Sequence, residues 1–247
     1  MAEKVVLMDK AYREKHYPKG YFAAIAKGAR GGGVALIICG GILALMGLGI
    51  LALEVMFLAE GDPGPIGEII FIGIIGLVFL VPGIFVIYFG IRRMKMNETD
   101  WIKKFMDASD YPESVIRDFG SQVLEDDSLR LQIGTKAIEG VLTRDYMCIG
   151  NLLAPCVIKI EDITGAYFVE TSDRINVNGK MKTIYATNIA VFSNHKTYMI
   201  AEAKEKTVKQ IQEILIQKNP AIDMAGGRLL SEKEYQEMED RVNKTSK

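Results

Sequence analysis

The sequence predicts a membrane α-helical hairpin joined to a cytoplasmic α+β domain. Two uncharged apolar runs, residues 31–53 and 69–91, are separated by a short loop that contains glycine, proline and acidic residues. Each run would form about 35 Å of helix, which is enough to cross a hydrocarbon core of about 30 Å. Beyond residue 128 the apolar period changes from helical to about two, which is typical of strands.

A signal peptide is the alternative for the first run. The run begins about thirty residues into the chain, it is longer than the apolar core of a signal peptide, and a second run follows it. We therefore predict a two-helix transmembrane hairpin over residues 31–91, with spans at about 31–58 and 66–91.

Basic residues flank the outer ends of both spans, whereas the connecting loop carries Glu60 and Asp62 and no base. Lysine and arginine concentrate on the cytoplasmic side of membrane proteins. We therefore expect both termini in the cytoplasm and the hairpin in the inner (cytoplasmic) membrane. The basic flanks are Lys4, Lys10, Arg13, Lys15, Lys19, Lys27 and Arg30 before the first span, and Arg92, Arg93, Lys95, Lys103 and Lys104 after the second.

Glycines recur every seven residues in both spans, and seven residues return to nearly the same face of a helix. In an antiparallel hairpin they would meet in level pairs, and small residues favour helix pairing in lipid because they allow close backbone approach. The alternative is that glycine is simply frequent in membrane helices. The expected pairs are Gly33 with Gly90, Gly40 with Gly83, and Gly47 with Gly76.

Glu54 is an ionisable residue at the outer end of the first span. An intramembrane carboxylate suggests a polar functional site such as an ion relay, but the cost of a charge depends on its depth in the bilayer. At this depth the pattern favours a plain interfacial residue over a relay.

Polar segments flank the hairpin on both sides. Residues 1–30 form a basic leader, which fits either a short interfacial helix or a solvated segment. We expect Gly31-Gly32-Gly33 to form a flexible elbow into the first span. Within residues 92–124, start signals at Asp100 and Asp110 predict two short helices that connect the membrane to the following domain.

Seven strands and one helix are predicted next. The expected strands lie near residues 129–133, 137–142, 146–150, 157–160, 165–170, 183–192 and 197–201, with an Asn178-Gly179 turn between residues 175–177 and the segment from Met181 onward. An amphipathic helix follows at about 204–218 and stops at Asn219-Pro220.

Seven strands followed by one helix outline a pleckstrin-homology (PH)-like barrel, or bent sheet with a closing helix, and residues 125–219 resemble bacterial PH-like and GRAM-like domains. The resemblance rests on the segments Gly140 to Ile149 and Ile158 to Ile163, and on the late hairpin of residues 189–192 and 198–200. With its hairpin, the chain resembles the uncharacterised two-span PH-domain membrane proteins of bacteria. The resemblance implies a binding or scaffold module without catalysis.

The predicted first hairpin loop departs from lipid-binding PH domains. These carry several basic residues there, whereas residues 132–136 offer only Lys136. A phosphorylated headgroup needs several charge-assisted donors. A protein partner, bound through an open strand edge, therefore fits better than a specific headgroup.

No signature of catalysis is present. The chain lacks nucleophile-elbow, phosphate-loop and zinc-binding motifs, so we expect no enzyme, no cofactor and no small-molecule substrate. The net charge of -1 does not suggest nucleic acid. Cys39, Cys148 and Cys156 are expected to be reduced, and His16 and His195 are too far apart in sequence to suggest a metal site.

Two charged segments are interpreted as ordinary surface structure rather than as binding sites. The triplet Glu125-Asp126-Asp127 suits a solvated turn better than a cation site. In the tail, residues 220–247, Ser231 and Glu234 form a capping box that opens a charged helix. A surface helix is favoured there over a segment that docks a partner.

Three functions remain open at this point. The first is a membrane-anchored scaffold whose PH-like domain recruits a protein partner. The alternative is a homo-oligomeric pore or transport-associated subunit that uses the glycines and Glu54. An enzyme is the third and is disfavoured by the missing motifs.

Overall fold

The computed structural model describes residues 4–59, 66–133, 138–149, 156–177, 180–193, 197–200 and 204–245. The chain divides into two compact units. The helical hairpin is Phe22–Trp101, and the sheet domain combines Met1–Tyr21 with Ile102–Lys247.

The elements follow one another without long gaps. In chain order they are β1 (Lys4–Leu7), α1 (Lys10–His16), α2 (Tyr21–Ala59), α3 (Ile66–Lys95), α4 (Glu98–Ser109), α5 (Glu113–Gln122), β2 (Leu129–Ile133), β3 (Ile138–Leu142), β4 (Tyr146–Ile149), β5 (Cys156–Lys159), β6 (Ile163–Val177), β7 (Lys180–Ser193), β8 (Thr197–Ile200), α6 (Glu205–Lys218), β9 (Leu229–Leu230) and α7 (Glu232–Thr245).

Both helices of the hairpin are long and apolar enough to cross a membrane, judged by length and composition. Only 11% of the most apolar window of each helix is buried within the chain. The predicted elbow at Gly31-Gly32-Gly33 is wrong, because α2 runs through it without interruption. Gly32 and Gly33 face Arg93 and Gly90 on α3, so helix packing fixes the backbone there.

The first sheet has five antiparallel strands in the order β1-β2-β3-β4-β5. The predicted basic leader is wrong for its first residues, because Lys4–Leu7 pairs with β2 from Lys4↔Gln132 to Leu7↔Leu129. The β-branched pair Val5-Val6 favours a strand. The leader is therefore divided, with residues 1–21 in the sheet domain and residues 22–30 in the first helix of the hairpin.

The second sheet has four strands in the order β8-β7-β6-β9. Strands β6 and β7 form one long hairpin that is paired from Ile163↔Ser193 to Val177↔Lys180. They extend well beyond the two predicted strands that they replace. The predicted Asn178-Gly179 turn lies outside the described residues.

The main core is enclosed by inward side chains of both sheets and by α6, whose Val208, Ile211 and Leu215 are fully buried. The predicted strands and closing helix are thus present, but the described strands do not close into a barrel. Side chains from the α4–α5 connection, rather than a further strand, accept hydrogen bonds along the outer edge of β5. Val157 N donates to Ser109 Oγ at 2.9 Å and Lys159 N donates to Tyr111 OH at 3.3 Å.

Helices α4 and α5 cover the other face of the first sheet. Phe105 and Phe119 lie with ring centroids 6.4 Å apart, and Phe119 makes an edge contact with Tyr146 on β4. All four residues of β4 are consequently buried. The predicted connecting helices are therefore also part of the folded core of the sheet domain.

The tail also packs onto the domain. Strand β9 pairs in parallel with β6, and Tyr235 of α7 is buried with its ring 5.8 Å from that of Phe192. The predicted capping box forms, since Ser231 Oγ donates to Glu234 Oε2 at 2.8 Å and Glu234 N donates to Ser231 Oγ at 3.4 Å. The favoured interpretation of the tail as a plain surface helix is wrong, because its apolar residues complete a second small core.

Candidate functional site

The structure brings the six predicted glycines together along one line of contact between α2 and α3, the glycine seam. A Cβ atom placed on Gly40 would lie 2.7 Å from the carbonyl oxygen of Gly83, and one placed on Gly47 would lie 2.6 Å from that of Gly76. For Gly33 and Gly90 the corresponding separation is 2.8 Å. These are the pairs that the heptad register predicts, and no side chain fits between them.

Glu54 continues the same heptad, because it follows Gly33, Gly40 and Gly47 at an interval of seven. Its carboxylate faces α3, where a Cβ on Gly73 would lie 3.3 Å from Glu54 Oε2. Glu54 is half-buried. The residue therefore lies in the helix contact at the end where α2 leads towards α3, a placement that its heptad spacing could have predicted.

A polar cleft of about 470 Å³ lies in the sheet domain where the end of α6 meets β4 and β5. Asn219, which terminates α6, donates from Nδ2 to the carbonyl oxygen of Ile160 at 3.0 Å and fixes this junction. The residues that line it are Arg144, Asp145, Tyr146, Lys159, Ile160, Glu161, Lys218, Asn219 and Pro220. We call this site the α6 cleft.

Cations of the α6 cleft are engaged with neighbouring acids and carbonyls. Arg144 forms ion pairs of 3.2 Å with Asp145 and with Glu125, and its hydrogen bond to Asp145 raises the pKa of its guanidinium. The hydrogen bond to Glu161 raises the pKa of Lys159 in the same way. Lys218 Nζ donates to the carbonyl oxygen of Arg144 at 3.3 Å.

These three cations and two acids make the cleft suited to charged groups rather than to apolar ligands. A carboxylate entering it would be attracted by Arg144 and Lys218, which both line the cleft, and would compete with Asp145 for the guanidinium. The sequence analysis missed this site. The sequence feature that could have indicated it is the helix stop at Asn219-Pro220, which places Lys218 at the end of α6.

The acidic triplet is held by arginines. Arg13 is buried, donates to the carbonyl oxygens of Met8 and Glu125, and pairs with Asp126. Arg144 forms an ion pair with the Glu125 carboxylate. Among the described residues, no group of three or more His, Cys, Asp or Glu is placed to hold a metal ion.

All three cysteines are free thiols. Cys148 pairs with Val157 and Cys156 with Ile149, so the two thiols lie on opposite faces of the β4–β5 ladder. Burial raises the pKa of Cys148 to about 12, so the thiol stays protonated at neutral pH. His16 is exposed and stacks on Tyr12, whereas His195 lies outside the described residues.

Comparisons with protein-family models, with curated proteins and with solved structures found no match to this chain.

Proposed function

We propose that this protein is a membrane-anchored, cytoplasm-facing binding and scaffold module that recruits a protein partner to the inner membrane. The observation that carries the proposal is the contrast between its two units. Large apolar side chains are exposed along both helices of the hairpin, for example Leu45 at 68% and Phe71 at 64%, whereas the sheet domain encloses most of its large apolar side chains in two buried cores. Contiguous apolar exposure on this scale is typical of a surface that contacts lipid.

The sheet domain is built from chain segments on both sides of the hairpin, and this supports the predicted orientation. Segments from before and after the hairpin pair within a single sheet, as in Lys4↔Gln132. One folded domain cannot straddle a bilayer, so a spanning hairpin must return to the side from which it started. The basic flanks then favour the cytoplasmic side.

The α6 cleft supports a protein partner of acidic character. In this proposal the sheet domain is PH-like, with α6 as its closing helix, and it binds without catalysis. Arg144 and Lys218 both line this cleft, where an acidic side chain or a terminal carboxylate of a peptide would dock. A charged, partly exposed cleft of this kind gives specificity for a matching charge more than it gives raw affinity.

Site-specific photocrosslinking in the native membrane tests this function. We expect a photoreactive residue at Lys218 to capture one protein partner, and the same residue at Lys209, which is exposed on α6, to capture none. Arg144→Glu should abolish the crosslink at Lys218. Equal capture at both positions, or capture that survives Arg144→Glu, would refute binding at the cleft.

A pore or transport-associated subunit is the alternative, and the placement of Glu54 against Gly73 is the observation that favours it. The glycine seam argues against it, because its six glycines pack against the facing helix of the same chain and are not available to a neighbouring chain. Liposomes containing the full chain should show no ion flux under the scaffold proposal. Flux that changes in Glu54→Gln would support the pore instead.

A further inference from the structure

The β6–β7 hairpin ends in a two-stranded arm, which we define as residues 173–177 of β6 and 180–185 of β7. Among the described residues, neighbouring strands pair only with the base of the hairpin. Strand β9 pairs with β6 at Phe168 and Val169, and β8 pairs with β7 at residues 189–192. Glu232 of α7 reaches Ser172, where it accepts hydrogen bonds from the backbone N and Oγ. Beyond Ser172 the described strands of the arm pair only with each other.

The arm exposes large apolar side chains to solvent. Met181 is 65% exposed, Ile184 is 47% exposed and Tyr185 is 66% exposed. In a strand Met181 and Tyr185 share one face, and Ile184 lies on the other. An isolated two-stranded ribbon is marginally stable in water. Because this arm exposes apolar residues on both faces, surroundings that remove both faces from water would stabilise it.

The charge of the arm identifies that environment. The arm contains Arg174, Lys180 and Lys182 against the single acid Asp173, in a chain whose net charge is -1. Lysines on an exposed strand discourage edge-to-edge pairing with another strand. Basic residues interleaved with tyrosine and aliphatic side chains are typical of segments that lie in the headgroup region of anionic membranes.

We propose that the arm inserts into the headgroup region of an anionic bilayer and forms a membrane contact in addition to that of the hairpin. The arm extends about 17 Å past Ser172, at about 3.3 Å per residue. Only Met96 and Asn97 separate the end of α3 at Lys95 from the start of α4 at Glu98, so a spanning α3 would tether the sheet domain to the bilayer through a short linker. This inference rests on the proposed membrane location. It adds a lipid class, recognised by negative surface charge, to the partners of the sheet domain.

Fluorescence quenching of the full chain in lipid nanodiscs tests the proposal. The chain carries Cys39→Ser, because Cys39 is exposed, and an environment-sensitive dye on Met181→Cys. Discs of phosphatidylcholine alone are compared with discs that also contain phosphatidylglycerol. In the anionic discs we expect the dye to be protected from aqueous iodide and quenched by a nitroxide-labelled lipid. A dye on Gln217→Cys, exposed on α6, should stay open to iodide in both.

Charge variants sharpen the test. Replacing Lys180 and Lys182 with glutamine should lower the ratio of inserted to free arm roughly thirty-fold. Each basic residue near an anionic surface strengthens binding about fivefold, and two residues are removed. The same change at Lys206 and Lys209, which are exposed on α6, should leave protection of the dye unchanged.

The other outcomes overturn the proposal in distinguishable ways. Equal iodide access in both lipids, with the chain retained in the discs, overturns insertion of the arm and leaves the membrane anchor intact. Protection that appears only in discs holding two copies assigns the arm to pairing between chains. A chain that does not remain with the discs overturns the arm contact and the proposed anchor together.

Discussion

Replacing Gly40 with alanine tests whether the glycine seam holds the hairpin together within one chain. A Cβ at this position would lie 2.7 Å from the carbonyl oxygen of Gly83 and 2.8 Å from the backbone nitrogen of Ile87. These atoms belong to the backbone of α3 and cannot move aside as a side chain would. Helices α2 and α3 must therefore separate locally by about 0.7 Å to restore ordinary van der Waals contact.

The expected loss follows from that separation. If on the order of 20 atom pairs across the seam each lose about a third of a ~0.15 kcal/mol attraction, helix pairing weakens by about 1 kcal/mol. Residual overpacking of an added methyl group costs about 1–3 kcal/mol in well-packed cores. We expect Gly40→Ala to destabilise the hairpin by about 1–3 kcal/mol and Gly40→Leu to separate the helices. Gly41→Ala is the matched control, because nothing lies within 4 Å of a Cβ at Gly41.

Titration from a mild detergent into sodium dodecyl sulfate measures the effect. Helix separation can be followed by energy transfer between dyes on Cys39 and on a cysteine that replaces Val81, after Cys148 and Cys156 are changed to alanine. Equal midpoints for Gly40→Ala and Gly41→Ala would refute the packing argument. A loss that depends on protein concentration would place the contact between chains rather than within one.

Two further predictions concern the sheet domain. Arg13→Ala should lower its free energy of unfolding by about 2–3 kcal/mol, because the buried carbonyl oxygen of Met8 and the partly buried one of Glu125 lose a charged donor. Urea titration followed by the near-ultraviolet circular dichroism of tyrosine measures this change. Lys15→Ala, at an exposed position, should change the same free energy by less than about 0.5 kcal/mol. The second concerns Cys148, whose pKa burial raises to about 12 from an ordinary value near 9. The folded state then holds this proton more tightly, so the stabilisation is fully present below pH 9 and is lost as the pH rises towards 12. Unfolding midpoints should fall over this range, and Cys148→Ala should make the decline shallower by up to about 1.4 kcal/mol per pH unit; identical slopes would contradict the assignment.

The strongest periodic signals in the sequence predicted the fold well. The two apolar runs, the strands after residue 128 and the helix that ends at Asn219 are all present, because each has a local pattern that fixes its own structure. The positions of Gly40 and Gly83 follow from heptad spacing alone. Local pattern also accounts for the capping box at Ser231.

The errors share one cause, which is pairing over a long sequence separation. Residues 4–7 are too short a segment to indicate a strand, and their partner in β2 lies beyond both membrane-length helices. The α6 cleft is likewise assembled from Arg144, Lys159 and Lys218, which no sequence spacing relates. Closure of a barrel depends on such pairing as well, and here Ser109 and Tyr111 take the edge that a further strand would need.

The pairing of β1 with β2 makes the hairpin an insertion within the sheet domain. The first strand is synthesised before α2, and its partner in β2 follows α3, so the first sheet cannot be completed until both apolar helices have been made. Buried Arg13 adds to this dependence, because its acceptors include Glu125, which lies beyond the hairpin. In a spanning hairpin, a helix that failed to return would leave β1 and Arg13 on the opposite side from their partners. Completion of the domain would then select the topology in which both flanks face the same side, independently of their charge.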